Sequence, residues 1–141
     1  MNSKEMLTSV LHTVQMGQSG ITSVQDRAVS PGLKAEMKQQ LEQYDAIETS
    51  AKRLAEENKW ILSDIPQSLV KMSDLMSKAK LMGGERDSKI AGMLIQGNTR
   101  GMILGMKNLR KGTQADPKVR ALAEKLIVQE RKSIEKTERF L

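Results

Sequence analysis

Apolar residues recur along most of this chain at steps of three and four, the period of a helix face; nowhere do four to eight residues alternate as a strand would. Leu7, Val10, Leu11, Val14, Ile21, Val24 and Ala28 mark a first helix from about Ser3 to Ala28. Gly17, Gln18 and Gln25 share its inward stripe. His12, the single histidine, falls on the opposite face and reads as a surface residue. Leu33, Met37, Leu41, Tyr44, Ile47, Ala51 and Leu54 mark a second helix, from Pro31 to about Asn58. A shorter segment, about residues 66–82, carries Leu69, Met72, Leu75, Met76 and Ala79 on one side. That stripe is expected to pack onto the rest of the molecule; a Met-rich face can also receive a partner. A third long helix starts near Ser88, and a fourth, with Val119, Leu122, Ala123, Leu126, Ile127, Ile134 and Phe140, runs from Pro117 to the end.

The breaks carry start and stop signals. Ser30-Pro31 and Asp116-Pro117 each offer a cap followed by proline at the first helical position, and Asp64 with Pro66 gives a third start. Gly83-Gly84 and Gly112 are stops, the latter just after Arg110 and Lys111, where the helix dipole favours cations. Short connections imply two antiparallel hairpins, residues 3–58 and 88–141, joined by the 66–82 crossover into one domain, 1–141.

The stretch Lys89–Arg110 departs from a plain helical pattern. Gly97, Gly101 and Gly105 lie four residues apart inside it, on one stripe. Each costs roughly 0.8–1 kcal/mol against Ala in a helix interior, so the stripe implies a close neighbour, expected to be another backbone. The stretch also matches the first helix. Gly17-Gln18-Ser19 corresponds to Gly97-Asn98-Thr99 at a shift of 80, and in the following helices Pro31, Leu33, Ala35 and Leu41 correspond to Pro117, Val119, Ala121 and Ile127 at a shift of 86. This reads as an internal duplication. Helical phase then turns Gln18, Asn98, Tyr44 and Glu130 inward as one polar layer. Such a layer needs mutual hydrogen bonds, because an unpaired buried polar group costs roughly 1–3 kcal/mol.

Composition narrows the chemistry. There is no Cys, which excludes disulfides, thiolate metal sites and Cys nucleophiles, and agrees with a reducing, cytoplasmic setting. Ten Met and one each of Trp, Tyr and Phe predict an aliphatic, adaptable core. Polar residues interrupt every apolar run, so neither a signal peptide nor a membrane span is expected. The net charge of +6 resides in the second half: residues 1–60 hold seven Lys/Arg and eight Asp/Glu, residues 61–141 sixteen and nine. That half could meet a polyanion, but no aromatics interleave to stack bases. There is no phosphate-binding loop, and His12 has no partners for a nucleophilic triad.

Two helical hairpins, a long crossover and a central polar layer resemble the ferritin-like superfamily. The stretches LKAEMKQQLEQYDAI and KIAGMLIQGNTRGMI, with the inward position after Gly17, are similar to those of small bacterial ferritin-like proteins without an assigned activity. The resemblance implies an all-α, ferritin-like four-helix bundle. It also implies where a di-metal site would stand: a Glu on each of the first and third long helices and Glu-x-x-His on each of the other two. Here Gln18 and Asn98 occupy the single-Glu positions, Tyr44 and Ile47 one pair, Glu130 and Ser133 the other. Only Glu130 is kept in kind, with Glu48 the one other inward-leaning carboxylate. The reading is therefore a non-enzymatic bundle with its metal site lost and no cofactor, serving as a structural or interaction module and able to form a homodimer. Two alternatives stand beside it: a remnant metal or small-molecule site around Gln18, Tyr44, Asn98 and Glu130, and nucleic-acid or other polyanion binding by the basic half.

Overall fold

Helix starts in this chain are fixed by a few side chains. Asn2 accepts a hydrogen bond from the Glu5 backbone N–H at 2.8 Å while the Glu5 carboxylate accepts from that of Asn2 at 3.1 Å, a reciprocal cap that opens the first helix. Asp116 caps the last helix by accepting from the Lys118 N–H at 2.7 Å. The computed structural model describes residues 1–141 and is all-helical. Its five helices are α1 (Ser3–Val24), α2 (Pro31–Glu57), α3 (Gln67–Lys80), α4 (Arg86–Lys111) and α5 (Pro117–Thr137), with single 3-10 turns at Gln25–Arg27 and Glu138–Phe140. The expected first helix ends early: its last turn tightens to 3-10 and Ala28 is extended, though still buried.

Two expected caps act otherwise. Ser30 sits at the N-cap of α2, but its hydroxyl makes no capping bond. Asp87, in the first turn of α4, accepts instead from the backbone N–H groups of Val29 and Ser30, both at 2.8 Å, and ties the α1–α2 corner to α4. Asp64 does not cap α3, where Pro66 holds that position; it accepts from Gln15 Nε2 at 2.7 Å.

The four long helices share one core. α1 packs on α2, α4 on α5, α2 on α5 and α1 on α4, and α1 also reaches α5. Paired residues run in opposite senses along neighbours: Gln15 with Glu48 and Gln18 with Asp45 across α1 and α2, Gly101 against Glu130 and Gly105 against Ile127 across α4 and α5. Leu7, Leu11, Leu33, Ile47 and Ile90 are among the fully buried side chains, each worth roughly 1.5–3 kcal/mol relative to exposure. No helix is long and apolar enough to cross a membrane.

α3 stands apart, resting on α1. Here the sequence expectation is reversed. Leu69, Met72, Leu75 and Met76 face outward, Met72 at 61 % and Leu75 at 70 % exposure, and Ala79 is exposed too. The face turned in carries Val70, Ser73, Asp74 and Ser77, and of these only Ser77 is buried. The tethers at either end set this rotation. His12 holds the Ser63 carbonyl at 2.7 Å, Gln15 Oε1 accepts from the Ile65 N–H at 3.0 Å, and Leu81, just beyond α3, is 1 % exposed. His12 is thus half-buried beneath the crossover, contrary to its expected place on a free surface.

Candidate ligand-binding site

The inward stripe of α2 reads Met37, Gln40, Tyr44, Ile47, and that of α5 reads Glu130, Ser133, Thr137. Apolar burial of these helices therefore takes several polar side chains inside with it. Tyr44 donates its hydroxyl hydrogen to Glu130 Oε1 at 2.5 Å, and Asn98 Nδ2 of α4 donates to the Tyr44 oxygen at 3.1 Å. One turn away, Gln40 Nε2 donates to Glu36 Oε1 at 3.2 Å and to Thr137 Oγ1 at 3.0 Å. Thr137 in turn donates to the Ser133 carbonyl at 2.7 Å.

Of the four residues expected in the central layer, the structure brings together Tyr44, Asn98 and Glu130. Gln18 lies elsewhere. It is half-buried and donates to Asp45 Oδ1 at 2.8 Å and Glu48 Oε1 at 3.3 Å, on the seam between α1 and α2. Glu48 is on that seam as well, near Gln15 and Lys52. The residue of α1 that meets the layer is Gly17: a Cβ there would come within 2.5 Å of the Tyr44 ring. The glycine correspondence expected at a shift of 80 does not hold in the packing. Gly101, not Gly97, plays the part of Gly17, since a Cβ on Gly101 would lie 2.7 Å from Glu130 Oε2, and Tyr44 and Glu130 are the positions related by the shift of 86. The glycine stripe of α4 thus admits side chains rather than a backbone. Gly101 faces Glu130, Gly105 faces Ile127, and Gly97 faces nothing within 4 Å.

Gln40, with its partners Glu36 and Thr137, is absent from the expected layer. Its signal was present, four residues before Tyr44 on the same stripe.

Gly97 is exposed, and it contributes to the lining of a cavity of about 380 Å³ between α1, α3 and α4 that the layer borders. Gln40, Tyr44, Asn98 and Glu130 line its inner part; Met16, Ile21, Met93 and Leu94 contribute apolar wall; Gly20 and Gly97, where a Cβ would meet nothing within 4 Å, leave the room. Ser73, Ser77 and Lys80 of α3, Arg100 of α4 and His12 of α1 are also among its lining. Two buried oxygens in this lining, Asn98 Oδ1 and Gln40 Oε1, have no hydrogen-bond partner, although their residues are only 3 % and 1 % exposed. Burial pushes the Glu130 carboxyl up to about 7, against the opposing pull of hydrogen bonds from Tyr44 and Asn98. Burial and then the neighbouring Glu130 charge hold the Tyr44 phenol well above its ordinary value.

A pair of metal ions does not suit these donors. Glu130 is the carboxylate at Tyr44 and Asn98, while Glu36, rather than the expected Glu48, is the other buried one and is bonded to Gln40. His12, the imidazole of the cavity lining, is held at the Ser63 carbonyl, and nowhere in the chain do three His, Asp or Glu side chains converge. Amide and phenol oxygens do not balance two multivalent cations. Three acceptor positions beside an apolar wall suit instead an organic molecule that brings its own donors.

Comparison with protein-family models, with curated proteins and with solved structures finds no match to this chain.

Proposed function

We propose that the protein is a non-enzymatic binding protein, a ferritin-like bundle in which a small organic molecule takes the place of metal at the centre. The observation that carries this reading is the pair of unpartnered buried oxygens, Asn98 Oδ1 and Gln40 Oε1, in the lining of a 380 Å³ cavity. Each costs roughly 1–3 kcal/mol if left unpaired. A layer kept only to fix helix register would close its own hydrogen bonds and fill its own space. This one is closed on the Tyr44–Glu130 side and open on the other. The ferritin-like part of the proposal rests on the two hairpin-like helix pairs, the intervening α3 and the central placement of Tyr44, Asn98 and Glu130. A non-catalytic role is favoured because the layer sets the Glu130 carboxyl and the Tyr44 phenol among neutral amides, with the Glu36 carboxyl taken up by Gln40 and no nucleophile–base pair beside them.

Methyl-labelled methionine reports on the site, since Met16 and Met93 line it. Titration with a set of small amphiphiles is expected to shift these two resonances and leave that of Met37, sealed in the core, in place. Stoichiometric iron or manganese in the purified protein, lost on Glu130→Ala, would reverse the reading in favour of a metal site.

A further inference from the structure

The chemistry of the ligand can be read from which hydrogen-bonding capacity the layer has used. At the inner end of the cavity the donors are engaged with protein acceptors. Tyr44 gives its hydrogen to Glu130, Gln40 gives both amide hydrogens to Glu36 and Thr137, and Asn98 gives one to Tyr44 and turns the other toward Glu130. What remains is acceptors: Asn98 Oδ1, Gln40 Oε1 and the lone pairs of the Glu130 carboxylate beyond those that Tyr44 and Asn98 engage. The orientation of the Asn98 amide follows from the network. The Tyr44 hydroxyl spends its hydrogen on Glu130, so its oxygen must accept, and Asn98 must present nitrogen to it, which leaves Oδ1 as the atom without a partner.

We propose, building on the reading of a ligand-binding cavity, that the ligand carries an organic ammonium or amidinium head that sits against Glu130, Asn98 and Gln40. An ammonium supplies three N–H donors and one positive charge, matching three acceptors of which one is a carboxylate. A carboxylate, phosphate or ether head would set acceptor against acceptor and add a desolvation cost on both sides. The wall of Met16, Ile21, Met93 and Leu94 calls for an apolar body behind that head. Lys80 and Arg100 are the other charged groups of the lining, and both are cationic. They select against a second positive charge, so the ligand is a monoamine rather than a polyamine.

The test uses the intact protein with four probes of equal chain length: hexylamine, 1-hexanol, hexanoate and hexamethylenediamine, each titrated at pH 8 by calorimetry and by the Met16 and Met93 methyl signals. Hexylamine is expected to bind about tenfold or more tightly than 1-hexanol, with hexanoate and the diamine weaker than hexylamine. Glu130→Gln keeps an acceptor for Tyr44 and is expected to bring hexylamine and 1-hexanol to within about threefold of each other. Gly97→Leu fills space in which a Cβ meets nothing and is expected to weaken both probes with helicity unchanged, which guards against misreading a folding defect. If 1-hexanol binds as well as hexylamine, or hexanoate binds best, the ammonium assignment falls while the cavity reading stands. If none of the four binds to the wild-type protein, the cavity reading falls with it.

Discussion

Gly97 and Gly101 lie one turn apart on α4 and differ in what a methyl group would meet. At Gly97 an added Cβ has no neighbour within 4 Å, so Gly97→Ala is expected to recover helix propensity and stabilise the fold by about 0.8–1 kcal/mol. At Gly101 the same Cβ would press on Glu130 Oε2 at 2.7 Å and Thr13 Cγ2 at 3.0 Å, so Gly101→Ala is expected to destabilise by about 1–3 kcal/mol. Urea unfolding of the two variants checks the pair, and equal signs would refute the packing described for α4. Glu130 gives a second residue-level outcome. Its carboxyl is raised from 4.5 to about 7 in the fold. The native state therefore holds a proton that the unfolded chain releases, and stability favoured at acid pH is lost as pH rises between those values. The loss approaches roughly 3 kcal/mol between pH 4.5 and pH 7. Stability measured against pH is expected to show this decline in the wild type and to lack it in Glu130→Gln.

The helices were legible in the sequence because apolar spacing and caps are local signals; which way α3 faces was not. Its sequence offers two stripes, Leu69-Met72-Leu75-Met76 and Val70-Ser73-Ser77, and the more apolar one reads as the buried one. The choice is made outside α3, by His12 and Gln15 holding the incoming chain and by Leu81 anchoring the outgoing one. With one buried residue of its own, α3 has little apolar contact to lose on opening. Hydrogen exchange is expected to find its amides far less protected than those of α4 or α5. For the same reason Leu75→Lys and Met76→Lys are expected to change unfolding free energy by no more than about 0.5 kcal/mol, whereas a buried stripe would make either substitution severely destabilising. Helical phase was likewise legible for Tyr44, Asn98 and Glu130 but not for Gln18. One residue along a helix turns a side chain by about 100°, and Gly17 rather than Gln18 meets the Tyr44 ring.

At the scale of the molecule, the two halves of the chain are stitched at both ends as well as through the core. At one end Asp87 of α4 accepts from Val29 and Ser30 at the α1–α2 corner. At the other, Ser3 Oγ accepts from the Asp116 N–H at 2.8 Å, and Asn108 Nδ2 donates to Ser9 Oγ at 2.7 Å. None of these ties is visible in local pattern, since each joins residues at least 57 positions apart. They are expected to make the first and second helix pairs unfold together rather than separately. Asp87→Ala removes a carboxylate that serves two backbone donors and is expected to cost about 1–3 kcal/mol, with Asp87→Asn, which retains one acceptor oxygen, costing less. Trp60 tests whether that loss is local. It follows the C-terminal end of α2, the opposite end from the Asp87 tie, and packs against the core. If the molecule unfolds as a unit, tryptophan fluorescence and helical circular dichroism shift to the same lower urea midpoint in Asp87→Ala. A circular dichroism midpoint that falls while the Trp60 midpoint stays would show instead that α4 opens alone, and the stitching would then be a local clasp.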